Sequence, residues 1–129
     1  ILPLLDGDLG ATIIDVLDGR APHLKWRDEF AACVVLASGG YPGSHQTGLP
    51  IHGLEADPDD VMIFHAGTRR DGDALVTAGG RVLNVVGRGP TLQRAVSRAY
   101  AGVAHLSFEG MQFRTDLGRP SNRLSEVSV

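Results

Sequence analysis

Apolar side chains at Leu9, Ile13, Val16 and Leu17 recur at helical spacing and predict an amphipathic helix over residues 8–18. Asp6 or Asp8 can cap its start, and Gly19 suits its end. The stretch Pro22–Glu29 is polar and turn-rich, so a boundary is expected there, with Trp26 packing locally. From Ala31 the pattern changes. The unbroken apolar run Ala31–Ala37, ended by Ser38-Gly39-Gly40, predicts a buried strand. Val61–Ala66, ended by Gly67, predicts another, and Ile51–Leu54 a shorter one. Asp71-Gly72-Asp73 is a turn signal. Leu75–Thr77 and Arg81–Val86 flank Ala78-Gly79-Gly80 as the arms of an expected hairpin. Thr91–Leu106 is the clearest helix. Thr91 is its N-cap, and Pro90 breaks the preceding strand. Leu92, Val96, Ala99, Tyr100, Val103 and Leu106 form its apolar face, while Gln93, Arg94, Ser97 and Arg98 face water. Met111–Phe113 is expected to be a last short strand, and the polar, patternless residues from Arg119 onward a loose tail.

The 129 residues suffice for one ordinary domain. Seventeen glycines among short apolar runs favour turns and strands over a helical bundle, hence a small, strand-rich α+β domain with a packed helix. A net charge of −3 offers no electrostatic footprint for nucleic acid. No apolar run approaches the ~20 residues of a membrane span, and no basic region precedes an apolar one as in a signal peptide. The single cysteine, Cys33, precludes a disulfide framework within the chain. It fits a reducing, cytoplasmic setting and is expected to be a small buried hydrophobe. The opening Ile1-Leu2-Pro3-Leu4-Leu5 reads like the middle of a domain, so the chain is expected to be a fragment.

Three constellations carry candidate chemistry. In Ala37-Ser38-Gly39-Gly40-Tyr41-Pro42-Gly43 a strand feeds a glycine-rich turn whose N–H groups can face an anion; equally, Gly there can simply supply positive φ. It lacks the Gly-x4-Gly-Lys pattern of a nucleotide phosphate loop. In His65-Ala66-Gly67-Thr68-Arg69-Arg70 an imidazole, a hydroxyl and guanidiniums lie close together at a strand end, where they suit an anionic ligand or plain solvation. In Gly79-Gly80-Arg81-Val82-Leu83-Asn84 a planar guanidinium follows a tight turn, as a phosphate monoester site or as a surface arginine. The five histidines show no metal-ligand spacing, Ser38 lacks the nucleophile elbow, and Asp57, Asp59 and Asp60 are most simply solvated.

Taken in order, several stretches are similar to one family. They are Leu2–Leu5 with Asp8-Leu9, Cys33–Gly43, Gly53-Leu54-Glu55, Val61–Thr68, Leu75–Thr77 with Gly79–Leu83, Ala99-Tyr100, and Phe108–Gly118. Each motif alone is weak; in register they are specific. The chain resembles the C-terminal part of the phosphoribosylamine–glycine ligases. The resemblance implies an ATP-grasp enzyme that uses ATP and Mg²⁺ or Mn²⁺ to activate glycine as an acyl phosphate, which 5-phosphoribosylamine then attacks. It implies that residues 1–29 end the ATP-grasp domain, that 30–119 form the small C-terminal domain, and that 120–129 are a tail. Ser38, Gly39, Gly40, Tyr41, His65, Gly67, Thr68 and Arg81 match family motifs and are expected to line the substrate site. Arg81 is expected to meet the ribose 5-phosphate, and the Gly39-Gly40 backbone a ligand anion. No catalytic or metal-binding residue is assigned in this chain, because ATP and metal are held upstream. The family usually has Tyr near His45 and often Lys near Thr47, and this chain departs at both places. The fragment alone is expected to be inactive and to expose apolar surface where its partner domains pack. The alternative is a non-catalytic closure or interaction module. A biotinyl- or lipoyl-like carrier needs a lysine at a hairpin tip, and Lys25 precedes the strand-rich region.

Overall fold

A computed structural model describes residues 1–56, 58 and 60–118. The expected tail at 120–129, together with Arg119, Asp57 and Asp59, lies outside the described residues. The elements are α1 (Leu9–Leu17), β1 (Phe30–Ala37), β2 (Val61–His65), β3 (Thr68–Asp71), β4 (Ala74–Thr77), β5 (Arg81–Gly89) and α2 (Leu92–His105).

The N-terminal stretch forms a small unit ahead of the sheet. Asp8 caps α1 by accepting the Ala11 N–H at 3.0 Å, and Gly19 follows its end at φ +74°. Leu5 bridges Trp26, and the Asp6 N–H donates to the Lys25 carbonyl at 2.8 Å. The Asp6 carboxylate pairs with Lys25 and Arg27, each at 3.0 Å. Lys25 first and Arg27 second hold that carboxyl below the usual range. Among the described residues the apolar face of α1 is left open: Leu9, Ile13, Val16 and Leu17 are 39–79% exposed.

The core is an antiparallel sheet in the order β1-β5-β2 with α2 across one face. Val34, Leu36, Leu83 and Val85 from the sheet meet Ala99 and Val103 from the helix. The approach is close because small residues face one another. A Cβ on Gly87 would lie 2.3 Å from the Ala95 carbonyl oxygen, and one on Gly102 would lie 2.6 Å from Val61. The buried stripe of α2 is therefore Ala95, Ala99, Gly102 and Val103, whereas Leu92, expected on that stripe, is 44% exposed. Thr91 caps α2 as its sequence predicts, accepting from Arg94 N at 3.2 Å. Arg98 does not simply face water. It donates to the Arg88 carbonyl at 2.7 Å and pairs with Asp60 at 2.9 Å. Asp60, expected to be merely solvated, also pairs with Arg88 at 3.6 Å.

Three further expectations are corrected. Leu75–Thr77 and Arg81–Val86 are not two arms of one hairpin. β4 pairs with β3, turning at Gly72 (φ +60°), while β5 enters the centre of the other sheet, so Ala78-Gly79-Gly80 is a crossing between sheets. Ile51–Leu54 and Met111–Phe113 are not strands but isolated bridges, Pro50–Val76, His52–Ser107 and Ala37–Gln112. Gly53, at φ +86° against the His105 carbonyl, takes the first segment out of extended geometry. Cys33 is not buried. It alternates with Val34 and so faces away from α2, on the opposite side of the sheet, where it lines a cleft with Ile1, Leu2 and Pro3.

That side is nonetheless apolar, and partial burial pushes the Cys33 thiol above its ordinary value, outweighing a smaller lowering by the N-terminal amine. Alkylation of Cys33 by iodoacetamide should therefore be slower than that of free cysteine at pH 7.5. It should keep accelerating above pH 9. A rate that levels off by pH 8 would contradict this assignment.

Candidate functional site

β1 and β5 run in regular register from Phe30–Gly89 to Leu36–Leu83, and then Ala37 faces Arg81. Val82 is the extra residue of a β-bulge. Without it, side-chain alternation would send Arg81 to the α2 side. With it, Val82 is fully buried, and Arg81 projects on the face opposite α2 together with Asn84. The preceding Gly80 supports this placement. The Tyr41 ring lies so close that a Cβ on Gly80 would fall 2.1 Å from it.

The Arg81 guanidinium opens on a cleft of about 550 Å³ lined by Tyr41, Ala66, Gly67, Gly80 and Asn84. On its other side a cleft of about 440 Å³ shares Tyr41 and Arg81 and adds Val35, Phe113 and Arg114. Among the described residues no carboxylate pairs with Arg81, whereas Arg114 is held by Asp116 at 2.7 and 2.8 Å. Arg81 is thus an uncompensated cation in a concave site, aimed by backbone geometry. Such a group can take a phosphate or carboxylate bidentately.

The matched residues divide into those that shape this cleft and those that lie beside it. Ser38, fully buried, ties the end of β1 to the crossing loop. Its N–H donates to the Gly80 carbonyl at 2.8 Å and its hydroxyl to the Gly79 carbonyl at 2.9 Å. The Gly67 N–H donates to the Arg81 carbonyl at 2.8 Å, and its own carbonyl accepts from Ala78 at 2.7 Å. A Cβ on Gly67 would stand 2.6 Å from the Arg81 oxygen. Gly40 takes φ +91° in the turn that presents Tyr41. Gly39 packs on Gly110 and faces a separate cleft of about 110 Å³ that Glu109 also lines. His65 and Thr68 are hydrogen-bonded to each other at 3.1 Å and line a neighbouring depression of about 530 Å³ with Arg69 and Arg70. Tyr41, Gly67 and Arg81 thus come together directly, with Ser38 and Gly40 behind them, while Gly39, His65 and Thr68 do not share their cleft.

Two residues of the site, Gln112 and Asn84, lie in stretches that the sequence singles out but receive no role from it. Gln112 donates its side-chain amide to the Ser38 carbonyl at 3.0 Å and the Tyr41 carbonyl at 3.1 Å, clamping the turn that carries Tyr41. Its backbone exchanges two 2.9 Å hydrogen bonds with Ala37. Asn84 stands on the cleft floor. Asn84 closes the Gly79–Asn84 constellation, and its signal is a polar amide inside the apolar run Val82–Val86.

The family model described as phosphoribosylglycinamide synthetase, C domain, matches residues 31–120. The chain belongs to that family. Its fold agrees with a solved relative, the phosphoribosylamine–glycine ligase of Thermotoga maritima. That structure superimposes with a TM-score of 0.70 at 35% identity, over 81% of this chain and 26% of that one. The chain is also 43% identical, over its full length, to 30% of the phosphoribosylamine–glycine ligase of Halalkalibacterium halodurans. To the ligase of Phenylobacterium zucineum it is 51% identical over 78% of its length and 24% of the relative's. This member of the synthetase C-domain family thus spans less than a third of the ligases it matches. Among its described residues no group of three His, Cys, Asp or Glu side chains could hold a metal ion, and no helix is long and apolar enough to cross a membrane.

Proposed function

We propose that this chain is the C-terminal part of a cytoplasmic phosphoribosylamine–glycine ligase acting in de novo purine biosynthesis. Residues 1–29 end its ATP-grasp domain, and 30–119 form the wall that closes the phosphoribosylamine pocket. Glycine's carboxylate attacks the γ-phosphorus of ATP, giving glycyl phosphate and ADP. The amine of 5-phosphoribosylamine then attacks the acyl carbon, expelling inorganic phosphate and leaving glycinamide ribonucleotide. ATP and Mg²⁺ or Mn²⁺ are bound by upstream residues, where the metal neutralises charge on the transferring phosphoryl group.

The role of this domain is to hold the amine substrate by its phosphate. The observation that carries this reading is Arg81, set by the Val82 bulge beside Tyr41 and Gly67 as a guanidinium that no carboxylate among the described residues pairs. Gly40 shapes the turn that carries Tyr41, while Gly39 and the His65–Thr68 pair line separate neighbouring clefts. A closure module without a ligand is the second reading. It is favoured by the uncovered apolar residues Val35, Phe64 and Trp26, which are 38–46% exposed.

Purified alone, the 129-residue chain should form no ADP from ATP, glycine, Mg²⁺ and 5-phosphoribosylamine, while the complete polypeptide should form ADP and glycinamide ribonucleotide together. Ligation by the isolated chain, or none by the complete one, would refute the assignment.

A further inference from the structure

Asn84 is out of character with its surroundings. It pairs with Val35 on one side and Phe64 on the other, and the next rung on the same face is Cys33, Val86 and Met62. An apolar residue would suit this position at least as well for packing. Among the described residues the Asn84 side-chain amide has no hydrogen-bond partner. Asn84 is half-buried and open to the clefts it lines, so its amide donor and acceptor are free to bond water or a ligand rather than another side chain.

Its position says what. Asn84 lines the same 550 Å³ cleft as Arg81, Tyr41 and Gly67. Opposite them on β1 stand Val35 and Ala37, two residues apart, so the two rungs are separated by ~7 Å along the strand. That is comparable to the span from a 5-phosphate to the far hydroxyls of its ribose. A phosphate on Arg81 brings the attached ring over Asn84. An amide both donates and accepts, as a hydroxyl does, and therefore matches a ring hydroxyl better than an apolar or purely anionic group.

We propose that Asn84 is a specificity-determining residue that hydrogen-bonds a ring hydroxyl of the ribose 5-phosphate moiety held by Arg81. This rests on the phosphoribosyl reading of the cleft given above. A site that hydrogen-bonds a hydroxyl discriminates strongly against an analogue lacking it, because its own polar group is then left unpaired.

The test is calorimetric titration of the complete ligase with ribose 5-phosphate, its 2-deoxy and 3-deoxy analogues, and ribose. The unaltered ligase should bind ribose 5-phosphate about tenfold tighter than one of the deoxy analogues, the effect of one net hydrogen bond. Asn84→Leu should bind that pair equally while still preferring phosphorylated ligands to ribose. Asn84→Ser, which keeps a donor and an acceptor, should retain part of the discrimination. Should Asn84→Leu fail to fold, Asn84→Ala carries the same comparison. Undiminished hydroxyl discrimination in the variant overturns the inference, as does its absence from the unaltered ligase. Uniform weakening of every ligand together with a lower melting point also overturns it, because Asn84 would then bond a covering protein segment. Arg81→Ala reports separately on the underlying reading. If that variant keeps its preference for ribose 5-phosphate over ribose, the phosphate site itself is wrong and the Asn84 assignment falls with it.

Discussion

In the complete ligase, Arg81→Ala should raise the apparent KM for 5-phosphoribosylamine by about 30-fold, the equivalent of ~2 kcal/mol for charge-assisted hydrogen bonds to one phosphate. The KM for ATP should stay within about twofold, because no ATP-binding role is placed in this chain. The contrast follows from geometry. Arg81 has no carboxylate partner among the described residues, so truncation removes a cation from the cleft without releasing a buried counter-charge. The bulge at Val82 is formed by backbone and survives the substitution. Arg81→Lys should recover only part of the loss, since an ammonium keeps the charge but not the planar fork. Equal changes in both KM values would point to a disturbed domain rather than a lost phosphate contact. Unchanged phosphoribosylamine kinetics would remove Arg81 from the site.

The largest effect on stability is expected from Gly87→Val. A Cβ at Gly87 would stand 2.3 Å from the Ala95 carbonyl oxygen and 2.4 Å from the Ala99 nitrogen, both in the helix backbone. Neither atom can move without lifting α2 from the sheet. The buried stripe Ala95, Ala99 and Gly102 then loses contact with Val85 and Leu83. Overpacking of this kind costs about 3 kcal/mol, which lowers the melting temperature of a domain of this size by ~10 °C. Thermal denaturation followed by circular dichroism measures it. A melting temperature within 2 °C of the parent would show that the helix does not rest on β5 as described.

Local rules were readable wherever neighbours in sequence decide the outcome. Thr91 caps its helix and Asp8 caps the other, because a capping oxygen needs only the next turn. The strand at Ala31–Ala37 was legible from its apolar run, but not which residues face the helix. A run without alternation carries no face, and Cys33 was therefore misplaced. The false hairpin arose in the same way. Leu75–Thr77 and Arg81–Val86 flank a turn in sequence, yet their partners, β3 for one and β1 with β2 for the other, are set by tertiary pairing. For the site, residue type suggested Arg81 and the glycines. What makes Arg81 usable is a bulge, which depends on register with a strand some forty positions away and leaves no local mark. Gln112 was hidden for the same reason, because it clamps a turn more than seventy positions from it in sequence.

The central claim is that the Val82 bulge presents Arg81 as the phosphate anchor of a cleft that the rest of the ligase completes. The most direct measurement is a crystal structure of the complete enzyme with ribose 5-phosphate bound. The phosphate oxygens should lie within 3.2 Å of the Arg81 guanidinium, the usual limit for such hydrogen bonds, with Tyr41 and Gly67 beside them. A phosphate bound at well-ordered occupancy elsewhere, with Arg81 pointing into solvent, would contradict it.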